Sequence, residues 1–169
     1  MIICFVGRSK SGKTSIITKI IPILRSKGLK IAVIKHAHKD FEIDKPGKDS
    51  WKFFESGADV LISSPSKLAL IKRVSSDDLY EVCKYFSDYD IILVEGYKKT
   101  CKRKILVAKN INEVKDIGID PNTVAVVCDE DFGDLNFRDT EIKMFKRSEV
   151  EKIAEFIYSL FKRYKGLRE

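Results

Sequence analysis

Lys13 and Thr14 close the run Gly7-Arg8-Ser9-Lys10-Ser11-Gly12-Lys13-Thr14, which matches the phosphate-binding pattern G-x-x-x-x-G-K-[ST] at every fixed position. The chemistry that needs this spacing is the holding of a polyanion. Backbone N–H groups of a glycine-bearing loop wrap phosphate oxygens, and the start of a following helix adds partial positive charge. Lys13 is then placed to reach the β- and γ-phosphate oxygens, and the Thr14 hydroxyl to ligate Mg²⁺. Ser15, the first residue past the loop, joins Gly7 to Thr14 in the expected nucleotide-binding set. The predicted ligand is a nucleoside triphosphate with Mg²⁺.

Such a site also needs an acidic group at the carboxyl end of a neighbouring strand, to hold the metal directly or through water. Asp90 and Glu95 bracket one apolar run, Ile91-Ile92-Leu93-Val94. Five strand residues span roughly 16 Å, so both cannot face one ion. In open parallel sheets, ligands gather outside the carboxyl ends of the strands, which favours Glu95. Gly96 after it lets the backbone approach the site closely. Asp44 and Asp49 lie in the polar segment that leaves the second strand, and either suits Mg²⁺ or the positioning of an attacking water. In the same segment His36 and His38 stand two apart. They admit an anion contact, a metal contact short of the usual three or four ligands, or plain surface polarity. Asp129 follows the strand Thr123–Val127, where a carboxylate can pair with the guanine N1 and N2 donors or simply end a strand. The N-K-x-D pattern is absent, so spacing alone does not choose between GTP and ATP.

The elements that must position these groups alternate between apolar runs and amphipathic stretches, the signature of an α/β domain with a mainly parallel sheet. Ile2–Val6 reads as a buried strand, and Ser15–Lys27 as a helix with Ile16, Ile17, Ile20, Ile21 and Leu24 at helical spacing. Gly28 is the expected glycine stop. Further strands are predicted over 30–35, 59–63, 68–71, 90–96, 104–108 and 123–127, with helices over 48–56 and 77–86. The short Ser64-Pro65-Ser66-Lys67 link predicts an antiparallel hairpin at an edge of the sheet. Ser148 with Glu151 has capping-box spacing for a C-terminal helix that lines up Val150, Ile153, Ala154, Ile157, Leu160 and Phe161.

Length and composition suit one domain, residues 1–169, with 44% hydrophobic and 34% charged residues. No apolar run approaches the roughly 20 residues of a membrane span, and Met1 leads straight into a strand. Cys4, Cys83, Cys101 and Cys128 are widely spaced and predict reduced, mostly buried thiols of a cytoplasmic protein. The net charge of +7 comes largely from Lys98-Lys99, Lys102-Arg103-Lys104 and Lys162–Lys165. Without aromatic interleaving or a recognition helix, it speaks for an acidic ligand or partner more than for nucleic acid.

The loop, the K-H-x-H segment Lys35–His38 with Asp44 and Gly47–Ser50, the E-S-G-A turn Glu55–Ala58, and Ile91–Lys98 with its E-G-Y-K end occur here in order. Together they resemble the molybdopterin-guanine dinucleotide biosynthesis protein B family, MobB. Ser56 stands where that family usually has alanine, and past Lys104 the likeness is one of strand layout. The resemblance implies a P-loop NTPase fold and a GTP-binding, weakly hydrolysing cytoplasmic homodimer. It also implies a partner, the nucleotidyltransferase MobA, which attaches GMP to molybdopterin. It carries over Gly12, Lys13 and Thr14 as phosphate and Mg²⁺ contacts. Asp44, Asp49 and Glu95 carry over as members of the polar site, with Lys13, Asp44 and Glu95 the expected catalytic set. Arg8 is the arginine available to act across a dimer. A metallochaperone GTPase and a dethiobiotin-synthetase-like kinase or ligase are the competing classes.

Overall fold

The computed structural model describes residues 1–37, 41–130 and 142–166. They form two compact units, one of Met1–His36 with Leu79–Glu169 and one of Ala37–Asp78.

In the larger unit, strands β1 (Ile2–Val6), β2 (Ile31–Lys35), β5 (Ile91–Glu95), β6 (Lys104–Val107), β7 (Thr123–Val127) and β8 (Lys143–Phe145) make one sheet in the order β2-β5-β1-β6-β7-β8. Every neighbouring pair is parallel. The inner strands β1, β5, β6 and β7, buried on both faces, read as nearly continuous apolar runs, yet their period of two still sorts the side chains. Ile3, Phe5, Ile91, Leu93, Ile105 and Val107 point to one side. There they pack on α1 (Lys13–Ser26) and α5 (Val150–Gly166) through Ile16, Ile20, Leu24, Ile153 and Ile157. Cys4, Val6, Ile92, Val94, Leu106 and Val126 point to the other side, with Leu79 of α3 (Leu79–Cys83) and Val114 of α4 (Ile111–Ile117). Truncating a fully buried residue such as Leu93 to alanine costs about 2–5 kcal/mol in such a core. Gly28, at φ +83°, ends α1 and donates its N–H to the Arg25 carbonyl at 2.9 Å.

The smaller unit holds α2 (Asp49–Glu55) and the antiparallel pair β3 (Val60–Ser64) and β4 (Lys67–Ile71). The hairpin is present, but it is a two-stranded sheet of its own and not an edge of the parallel sheet. Its register sets Leu61 opposite Leu70 and Ser63 opposite Leu68, which leaves three leucines of one face solvent-exposed.

Several expectations are corrected. Cys4 and Cys101 are joined by a disulfide, so two of the four cysteines are not free thiols, whereas Cys83 and Cys128 are free and buried. The cause is the pairing of β1 with β6. Cys4 lies opposite Lys104, and the Cys4 N–H donates to the Arg103 carbonyl, which brings Cys101 to a Cα–Cα distance of 6.3 Å. The expected helix over 77–86 is α3 followed by a 3₁₀ turn, Lys84–Phe86. At the start of α5, Glu149 is the acid that reaches back, accepting from the Lys146 N–H at 2.8 Å, two residues before the expected Ser148–Glu151 box. α4 and β8 are not among the expected elements. The first is short, but its Asn110 cap, which accepts from the Glu113 N–H at 2.9 Å, is an N-x-x-E signal that was there to read.

Candidate functional site

β1 delivers the chain to Gly7 at the carboxyl edge of the sheet. Gly7 has φ +152°, and a Cβ there would lie 2.1 Å from the Val107 carbonyl oxygen, so only glycine lets the loop leave the strand this close to β6. Lys10 at φ +58° and Gly12 at φ +95° turn the loop back onto itself, around a fully buried Ser11. Gly12 is the N-cap of α1 and provides no side-chain cap, and no acid occupies the first turn. The opening N–H groups and the positive end of the helix dipole thus face the loop's hollow, which is what a polyanion requires.

Lys13 folds over this hollow. Its ammonium donates to the carbonyls of Arg8 at 2.7 Å and Gly7 at 3.2 Å, and to Ser11 Oγ at 3.4 Å. Burial holds its pKa below the ordinary lysine value, Glu95 and Glu113 pull it back up, and Lys35 adds to the depression. Beside it, the Thr14 hydroxyl donates to Glu95 Oε2 at 2.8 Å. This contact follows from register. Glu95 pairs with Phe5, Gly96 donates to the Phe5 carbonyl at 3.2 Å, and the carboxylate therefore emerges beside the helix start. Asp90 stands at the opposite end of β5, where Oδ2 accepts from the Lys30 N–H at 2.8 Å, in keeping with the preference for Glu95.

Gly96 at φ +117° has its own reason. A Cβ there would come within 2.7 Å of His36 Cβ, and the His36 ring stacks on Tyr97 at 4.3 Å between centroids. The E-G-Y sequence and the first histidine thus form one packed corner beneath the carboxylate. Among the described residues, no three His, Cys, Asp or Glu side chains cluster to hold a metal. Thr14 with Glu95 offers a hydroxyl and a single carboxylate. That donor set fits Mg²⁺, which is commonly held by one or two carboxylates plus substrate phosphates. His38 lies outside the described residues. Asp44 and Asp49 belong to the smaller unit. There Asp44 Oδ1 accepts from the Lys45 N–H at 2.8 Å, and Asp49 opens α2 with its carboxylate 3.4 Å from Lys52 Nζ.

On the other side of the loop, Arg8 forms an ion pair with Asp116 of α4 at 2.9 Å. Ser9, Lys10 and Ser15 are exposed around the loop. Asp129 accepts from the backbone N–H of Arg147 at 2.9 Å, and its Oδ2 lies 3.4 Å from Arg147 Nε. Arg147 Nη2 donates to the Ala108 carbonyl at 2.6 Å. No phosphate-site motif marks Arg147 or Glu113, whose charge acts on Lys13. Both reach the loop from elements distant in sequence.

A parallel sheet with helices on both faces, and this loop between β1 and α1, define a nucleotide-binding protein of the P-loop NTPase fold. The family model for MobB, molybdopterin guanine dinucleotide synthesis protein B, matches residues 2–129, and the chain belongs to that family. It is 30% identical to the molybdopterin-guanine dinucleotide biosynthesis adapter protein of Escherichia coli (strain K12), over 98% of this chain and 95% of that protein. Against the adapter protein of the same description from Haemophilus influenzae the identity is 30%, over 96% and 90%. A crystal structure of molybdopterin-guanine biosynthesis protein B superposes with a TM-score of 0.77 at 45% identity, covering 96% of this chain and 99% of that one.

Proposed function

We propose that this chain binds GTP with Mg²⁺ on the Gly7–Ser15 loop and serves as an adapter to the nucleotidyltransferase, MobA, that attaches GMP to molybdopterin. Family membership supports the pathway. The observation that carries the site is the Thr14–Glu95 hydrogen bond at 2.8 Å beside the loop. It puts a metal-ligating hydroxyl and a carboxylate on one point at the start of α1. Mg²⁺, when bound, would neutralise charge on the β- and γ-phosphates. Lys13 would exchange its loop carbonyls for phosphate oxygens, and the N–H groups of residues 12–15 would donate to the phosphate chain. Glu95 would hold the ion with Thr14, and one carboxylate would orient water for slow hydrolysis. The preference for guanine rests on the family likeness.

A homodimer is the expected assembly. The Leu61, Leu68 and Leu70 face of the hairpin, exposed by 58%, 63% and 45%, is an apolar surface of the kind that a second copy covers. No described helix is long and apolar enough to cross a membrane, and a cytoplasmic location suits a protein that draws on GTP.

Equilibrium binding of GTP and ATP, each with Mg²⁺ and with EDTA, tests the reading. GTP should bind more tightly than ATP, and Lys13→Ala should weaken GTP by about 10- to 100-fold, the worth of a charge-assisted hydrogen bond. Preference for ATP, or unaltered affinity in Lys13→Ala, would refute it.

A further inference from the structure

We infer that Arg147 binds the nucleoside half of the nucleotide, and that Asp129 acts by positioning Arg147. The inference rests on the nucleotide reading above and deepens it.

The sheet order supplies the direction. Thr14 and Glu95 lie on the β5 side of β1, whereas Ala108, Asp129 and Arg147 follow β6, β7 and β8 on the opposite side. A divalent ion on a nucleoside triphosphate bridges β- and γ-oxygens. An ion held by Thr14 and Glu95 would draw the γ end of the ligand to the β5 side of the loop, which leaves the β6–β8 side for its nucleoside half.

Arg147 stands on that side. Its Nη1 is 3.2 Å, and its Cζ 3.7 Å, from the position a Cβ would take on Gly12, the residue that joins loop to helix. The guanidinium is held from the far side by the Ala108 carbonyl on Nη2 and by Asp129 near Nε, while Asp129 also fixes the backbone of residue 147. One hydrogen bond and one ion pair, from the residues that follow β6 and β7, thus tether the cation, while its buried Nε makes no hydrogen bond among the described residues. A planar, delocalised cation of this kind stacks on heteroaromatic rings and forks onto phosphate oxygens, which a lysine cannot imitate. Asp129 accepts from the Arg147 backbone N–H with Oδ1, and its Oδ2 forms an ion pair with the guanidinium 3.4 Å from Nε, without a hydrogen bond. Its part is to aim the guanidinium, in place of the direct pairing with guanine expected from its strand-end position.

The test is calorimetric titration with Mg²⁺-GTP, Mg²⁺-ATP, Mg²⁺-GDP and Mg²⁺-tripolyphosphate, the last of which has phosphates but no nucleoside. The proteins are the wild type, Arg147→Ala, Arg147→Lys, Asp129→Asn and the Arg147→Ala/Asp129→Asn double variant. Arg147→Ala should weaken GTP and GDP by about tenfold or more, with tripolyphosphate changed less than about twofold. Arg147→Lys, which keeps the charge, should show most of the same loss. Asp129→Asn should lose less than Arg147→Ala, and the double variant no more, because the two act as a unit. The ratio of GTP to tripolyphosphate affinity within one variant cancels any general loss of folded protein. Equal weakening of GTP and tripolyphosphate, or GTP affinity untouched by Arg147→Ala, overturns the proposal while leaving the nucleotide site standing. A GTP-over-ATP ratio that collapses when Asp129→Asn is added to Arg147→Ala overturns the positioning role of Asp129. A wild type that binds neither GTP nor tripolyphosphate defeats this inference and the nucleotide reading together.

Discussion

The Thr14 hydroxyl donates to Glu95 Oε2 at 2.8 Å across 81 residues of sequence, joining the first turn of α1 to the end of β5. Neither side chain makes a metal site alone. Parallel pairing of β1 with β5 brings hydroxyl and carboxylate to one height, the donor pair that the proposed Mg²⁺ site needs. Glu95→Gln should therefore reduce the gain in GTP affinity on adding Mg²⁺ by about tenfold, with affinity in EDTA little changed. Thr14→Ala should have a similar effect, and the double variant should fall short of the sum. Titration with and without Mg²⁺ measures both.

Lys13 should set the alkaline limit of the proposed GTP binding. Burial is the main cause of its depressed pKa, outweighing the pull of Glu95 and Glu113. Only the charged ammonium attracts phosphate, so GTP affinity should decline as pH rises through a value below that of an ordinary lysine. In Lys13→Ala that decline should vanish. Titrations from neutral pH to about 10 follow it.

The Cys4–Cys101 disulfide closes a loop with a sequence separation of 97 and is wholly buried. Cys101→Ser should cost about 2–4 kcal/mol of stability, because the cross-link no longer restrains the unfolded chain. Denaturant melts of both proteins under oxidising conditions measure this. Thiol counting should find two reactive groups in unfolded, unreduced protein and four after reduction, matching the two free and two bridged cysteines.

Lys104, only 5% exposed at its side chain, pairs with Asp120, which is half-exposed. Desolvation pushes the Asp120 pKa up, but hydrogen bonds from Lys104, the Asn122 N–H and Thr123 outweigh it, and the net shift is downward. A depressed carboxylate stabilises the fold above its unfolded pKa and loses that contribution as pH falls through the folded value. The loss should therefore come below about pH 4 and stay modest, since solvent screens Asp120. At neutral pH, Asp120→Asn should destabilise by about 1–3 kcal/mol, because it strips a buried ammonium of its counter-charge. Thermal melts from neutral pH down to about 2.5 check both.

The leucine face of the hairpin gives the dimer a test. Leu61→Asp with Leu70→Asp places two charges opposite one another in the register and should convert a dimer to a monomer in sedimentation, with GTP affinity changed less than about threefold.

Local spacing made the loop, β1 and α1 legible, since every residue involved lies within one strand–turn–helix unit. Strand polarity made Glu95 preferable to Asp90, because that argument needs only the direction of one strand. The Cys4–Cys101 bridge was hidden, because cysteines so far apart meet only once β1 and β6 pair. Arg147 was hidden for the same reason. Its partners, Gly12, Ala108 and Asp129, come from three other stretches of chain. The hairpin was recognised from its short link, but its separation from the sheet was not. Alternation along two strands says which residues share a face and nothing about which neighbours they find.

The strand that feeds the loop is interior, and its neighbours β5 and β6 share no hydrogen bond with each other. Two banks of side chains thus hang from separate supports on either flank of the cradle. Descendants of this chain can drift on one bank without disturbing the other. A lineage that came to accept a different purine would carry its changes at the ends of β7 and β8, and its Thr14 and Glu95 would survive intact.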